Sequence, residues 1–162
     1  MMLRMVKILL IVSVAMWATL GVFGNFNDWS GTTGAVGAAT SMSTFEGGTE
    51  DWRATTNPVL IMVGAIFIIL FKLGTALLCF VGAWHMWSAR AANQATFNSA
   101  KSYALAGCGV AMFMLFTGWI VVAETWFEMW RSDVLRGTAL DSAFRYCGMI
   151  GVISLFVGAS EK

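Results

Sequence analysis

The sequence predicts an all-α integral membrane protein: a four-helix antiparallel bundle in a single domain, residues 1–162, with an ordered extracytoplasmic first loop. Three observations predict it. Of the 162 residues, 58% are hydrophobic and 12% charged, against about 45–50% and 25% in an ordinary soluble domain. That excess is too large for one buried core. The apolar residues also gather into four runs, each near the ~20 residues a helix needs to cross a hydrocarbon layer ~30 Å thick. Eight tryptophans and twelve phenylalanines suit the aromatic belts that form at the two membrane–water interfaces.

The first span is expected at about residues 5–24, "MVKILLIVSVAMWATLGVFG". Arg4 and Lys7 ahead of an apolar core also fit a cleaved signal peptide. The core continues to Phe23 with no clear small-residue cleavage site after it, which favours a retained anchor. The second span runs from Pro58, the single proline, to Trp87; at about thirty residues it would be ~45 Å long and must tilt or protrude. The third covers residues 102–123. The fourth, residues 143–159, is short and interrupted near its start by Arg145.

Residues 25–57 form the longest connection, beyond the usual length of a structureless loop. Trp29, Phe45 and Trp52 lie within it, so it should fold as a cap, with a short surface helix in "GAVGAATSMSTF". Loop charge sets the orientation. Arg4 and Lys7 flank span one, and Arg90 and Lys101 occupy the second loop without an acid. Asp28, Glu46, Glu50 and Asp51 share the first loop with Arg53 alone. The third connection mixes both signs, so the bias is modest. By the positive-inside rule both termini face the cytoplasm. Trp84 and Trp87 then flank His85 at the inner interface, and Trp29, Trp52, Trp126 and Trp130 mark the outer one.

Several function classes are disfavoured. A net charge of +1 gives no electrostatic footprint for nucleic acid. Cys79, Cys108 and Cys147 lie in apolar runs without metal-ligand spacing, and no metal site is expected. One histidine excludes bis-histidine haem within a single copy, and no cofactor is expected. No nucleophile elbow, H-E-x-x-H or phosphate loop is present, so no catalytic residue is assigned.

The order of "NFND", "SMSTF", "WRATTNP", "TALLCFVGAWHMW", "ATFNSAK", "ETWFEMWRS" and "AFRY" along the chain resembles the bacterial family of predicted small integral membrane proteins of unknown function. The resemblance covers nearly the whole chain. It implies four spans in the bacterial inner membrane and no particular activity. It also implies a commonly acidic residue just before "TALL", where this chain carries Lys72.

Lys72 lies near the middle of span two. A charge there costs from about 2.5 to more than 10 kcal/mol, and a lysine stem covers only part of the ~15 Å to either interface. Ser13, Thr75, Thr117 and Ser154 fall near its depth, and Glu124 is the nearest acid. Three roles stay open: a tie to Glu124 or to hydroxyls and carbonyls within the bundle, a pair with a carboxylate of another protein, or a neutral amine on a conducting path.

Span three carries a small-residue stripe, Ala100, Ala104, Gly107, Ala111 and Gly118. Such a stripe allows close helix approach, either within the bundle or at a subunit interface. Glu124 and Glu128, four apart, could hold a cation or do acid–base work. With Arg131 beside them, and Trp126 and Trp130 offset, a hydrated outer rim of salt bridges is the plainer expectation. The function expected is a non-catalytic accessory or scaffold subunit of a larger membrane complex, held by lipid and by other subunits or self-association. The alternative is a small transporter or ion-conducting protein with a path past Lys72.

Overall fold

A computed structural model describes residues 1–160. These residues are all-α, without a strand among them. Helix α1 spans Met2–Asn27, α2 Trp29–Thr40, α3 Pro58–Ser88, α4 Gln94–Ala100, α5 Ser102–Phe113 and α6 Asp141–Gly158. Four helical stretches are long and apolar enough to cross a membrane: Met2–Asn27, Pro58–Ser88, Gln94–Trp126 and Arg136–Gly158.

Local chemistry fixes where these helices begin. Pro58 occupies the first position of α3, where its missing N–H costs nothing and its fixed φ suits a helix. Asn57 caps the same end, its Oδ1 accepting from the Val59 N–H at 2.9 Å. The Asp28 carboxylate accepts from the Gly31 N–H at 2.9 Å and starts α2. This helix therefore begins at Trp29, within the glycine-rich stretch, and stops at Thr40; the sequence had placed a short helix in residues 34–45. Met42 leaves the helical path at φ +52°. Asn93 caps α4 through the Thr96 N–H at 2.9 Å, so the third helical stretch begins eight residues before Ser102, where its apolar run was expected to start.

The third stretch changes geometry after Phe113. Met114–Trp126 is a π-helix of 13 residues, in which the Phe127 N–H reaches the Val122 carbonyl, five residues back, at 3.0 Å. The Thr125 hydroxyl follows the same offset to Ile120 O at 2.8 Å. Arg136–Leu140 is a second, short π turn leading into α6, which moves the start of the fourth stretch upstream of residue 143.

The chain divides into two compact units. Unit 1 comprises Met1–Val22, Phe71–Met112 and the residues from Gly148 onward; unit 2 comprises Phe23–Leu70 and Phe113–Cys147. In unit 1, α3 and α5 cross closely. A Cβ on Gly82 would fall on the Ala104 backbone, and one on Gly107 would lie 2.6 Å from Cys79 Sγ. Small residues allow that approach, which lets dispersion act where lipid supplies no hydrophobic drive. In unit 2, α2 lies along the start of α3: a Cβ on Gly64 would stand 2.8 Å from Val36 Cγ1, and one on Gly37 3.4 Å from Ile61 Cδ1. A small core of Ala39, Ala123, Met129 and Leu140 forms beside Trp119 and Leu135.

Candidate functional site

Three arrangements carry the chemistry of the chain. The first surrounds Lys72, half-buried on α3 in unit 1. Its stem lies over Gly21 of α1, where a Cβ would stand 3.1 Å from Lys72 Nζ and 3.2 Å from Cδ. Glycine at 21 thus opens the notch that seats the lysine between two spanning helices. Thr75, fully buried, turns its hydroxyl back to Phe71 O at 2.9 Å. Ser13 is exposed and donates to Leu9 O at 3.0 Å. Ser154 is half-buried on α6, in the same unit. Thr117 and Glu124 belong to unit 2, each half-buried.

The second arrangement is a set of cations in unit 1 that reach backbone carbonyls. Arg4 Nη1 donates to Arg90 O at 3.0 Å and to Ala92 O at 2.7 Å. Lys7 Nζ reaches Ala159 O at 2.8 Å, and Lys101 Nζ reaches the same oxygen at 2.9 Å and Asn98 Oδ1 at 2.7 Å. Both lysines are 2% exposed. Between Arg4 and Lys101 lies the fully buried ring of Phe97, its centroid 4.6 Å from the guanidinium and 5.4 Å from the ammonium. Ala159 follows the last turn of α6, so the lysines also meet the negative end of that helix dipole.

The third lies in unit 2 and joins the first loop to the end of the third helical stretch. Arg53 binds Asp51 through both nitrogens of its fork, Nε to Oδ1 and Nη2 to Oδ2, each at 2.8 Å. The same guanidinium reaches Glu128 Oε1 at 2.8 Å and Trp126 O at 2.9 Å. Arg131 completes the set, donating to Glu128 Oε2 at 3.0 Å and Glu46 O at 3.2 Å while its guanidinium covers the Phe45 ring at 4.6 Å. Glu128 sits at φ +50°, a left-handed conformation that ends the π-helix and turns the carboxylate toward both arginines. Trp52 meets Trp126 edge to face, centroids 5.7 Å apart.

These contacts set the acidity of the cluster. The Arg53 side chain, helped by its own N–H, holds Asp51 down at about 2. Hydrogen bonds from Arg53 and then Arg131 likewise hold Glu128 below the usual carboxylate range, and the carboxylates push Arg53 upward. Asp51, Glu128 and Arg53 are therefore charged at neutral pH. As a fork-bound network the set is stronger in geometry than a lone surface pair.

Beneath this cluster, also in unit 2, is an apolar cavity of about 310 Å³. One wall is the π-helix, through Gly118, Trp119 and Ala123; the others are α2 through Val36 and α3 through Val63 and Phe67. Phe127, next to Glu128, closes the end nearest the ion pairs.

The rim residues expected from sequence, Trp126, Glu128 and Arg131, are thus brought together, while Trp130 is exposed on the same short turn. Of the two acids, Glu128 makes the ion pairs. The stripe residues Ala104, Gly107 and Ala111 are buried in unit 1, Ala100 is half-buried, and Gly118 in unit 2 stands where a Cβ would be 3.3 Å from Phe67. Sequence reasoning missed Asp51 and Arg53 as site residues, although their i, i+2 spacing was a visible signal. It also missed Gly21, whose role depends on a residue 51 positions away.

A family model described as "Predicted small integral membrane protein (DUF2165)" matches residues 3–160. No curated protein and no solved structure matches the chain.

Proposed function

The chain belongs to the DUF2165 family of predicted small integral membrane proteins, and from that premise we propose that it is a non-catalytic accessory or scaffold subunit of a larger complex in the bacterial inner membrane. It inserts as one four-span domain, with Arg4, Lys7, Arg90 and Lys101 on the cytoplasmic side and both termini there. The observation that carries this reading is the pinned first loop. Arg53 ties that loop to Glu128 and Trp126 O, and the fixed loop presents Trp52, 81% exposed. A rigid frame bearing an exposed aromatic anchor binds partners at low entropic cost.

Purification from the native host in mild detergent should recover stoichiometric partner subunits by mass spectrometry, and Trp52→Ala should reduce that recovery. A monodisperse particle containing this chain alone would overturn the reading. The place of Lys72 within a helix of membrane-crossing length supports a second one, a small transporter or ion-conducting protein with a path past Lys72. It requires that Lys72→Met abolish ion or solute flux in proteoliposomes; unchanged flux removes it.

A further inference from the structure

We propose that the cavity of unit 2 is a binding site for the acyl chain of a membrane lipid, which enters sideways from the bilayer. Its lining carries no charged side chain, so it offers nothing to an ionic or strongly polar ligand. Its polar lining is limited to Thr40, whose hydroxyl donates to Gly37 O at 3.3 Å, and to Thr117 and Trp119 of the π-helix. The rest of the lining is apolar, which favours a hydrocarbon.

The mouth identifies the source. Three lining residues, Leu60, Val63 and Val122, are 51%, 58% and 42% exposed, and all lie in helical stretches of membrane-crossing length. The cavity is therefore continuous with the surface that the bilayer covers, and lipid tails are what it meets there. Its 310 Å³ matches about ten methylene groups if each takes roughly the ~30 Å³ of a water molecule in the liquid. That length is part of one acyl chain, and too little for a helix of another protein.

The backbone gives the site its shape. The wall formed by Thr117–Ala123 lies within the π-helix, and π turns recur at functional sites. Glycine at 118 and at 64 removes bulk from two facing walls. Phe127 lines one end of the cavity, and none of Asp51, Arg53, Glu128 and Arg131 enters the lining.

The full-length protein in vesicles containing a phospholipid with a photoreactive diazirine on one acyl chain tests this directly. Adducts mapped by mass spectrometry should concentrate on Val63, Gly118, Trp119 and Val122. Val63→Trp fills the mouth at an exposed position and should cut adduct yield at least about tenfold, the loss of roughly two buried methylene contacts. Leu70→Trp, on the same helix and also 58% exposed, should leave it unchanged. Adducts spread evenly over the exposed residues of α3, or equal yields from the two variants, would overturn the proposal. So would protein–protein crosslinks at these positions that displace lipid adducts as protein density rises, because a second copy would then occupy the cavity. The map on the unmodified protein decides the matter even if Val63→Trp misfolds.

Discussion

Helix α3 meets the third helical stretch twice, and the two meetings differ. In unit 1 its partner is the α-helical α5, and glycines at 82 and 107 bring backbone against backbone and sulfur. In unit 2 its partner is a π-helix, and the space between them is propped by α2 and left open as a cavity. Charge differs in the same way. In unit 1, Lys7 and Lys101 converge on one backbone carbonyl, Ala159 O. In unit 2, Arg53 and Arg131 converge on one carboxylate, that of Glu128. One pairing is built to be closed, the other to yield.

Glycine substitution tests the packing half of this contrast and carries the largest expected effect. Gly82→Leu drives a side chain into the Ala104 backbone, which cannot step aside, and should cost about 3 kcal/mol or more. Gly118→Ala meets only the edge of the Phe67 ring, 3.3 Å away. Alanine also favours a helix by about 0.8–1 kcal/mol over glycine, so that variant should unfold within about 1 kcal/mol of the parent. Unfolding in mixed detergent micelles measures both; equal losses would erase the distinction.

Next in size are the buried lysines. Lys7→Met or Lys101→Met removes a charged hydrogen bond from Ala159 O and should cost roughly 1.5–3 kcal/mol. Because both lysines serve one oxygen, the double variant should lose less than the sum of the two. Strict additivity would mean that they act apart.

The smallest effect is confined to the first loop and depends on pH. Asp51 is held at about 2, below the ordinary value near 4, so its contribution is present above about pH 4 and fades as pH falls toward 2. Glu128 shifts in the same direction and adds to the same acid limb. Hydrogen exchange across residues 45–57 should quicken in that window while the spans stay protected. Arg53→Gln should produce the same loosening at neutral pH. A loop that loosens on raising pH from 7 to 9 instead would contradict the ion-pair account.

How much of this could be read from sequence follows from how local each cause is. Span two was placed within a residue, 58–87 against Pro58–Ser88, because Pro58 punctuates it. The third and fourth stretches start earlier than their apolar runs, because the caps and polar turns that begin them, Asn93 and Arg136, leave no trace in hydropathy. Helix α2 was shifted by Asp28, a one-residue cap in a glycine-rich segment whose composition argues for a loop. The rim acids and tryptophans were visible as a cluster. Their partner Arg53 lies 75 residues from Glu128, and no spacing rule reaches that far. A cavity cannot be read from any residue at all, since it is what packing leaves over.

The hydrogen bond from Lys7 to Ala159 spans 152 residues, and that separation has a consequence for biogenesis. Synthesis proceeds from the N-terminus, so α1 is in the bilayer long before its carbonyl partner exists. Unit 2 is complete at Cys147, within the first turns of α6, whereas unit 1 also needs the residues from Gly148 onward. During that interval the first helix stands without its contact to the end of α6, so this bond is among the last to close.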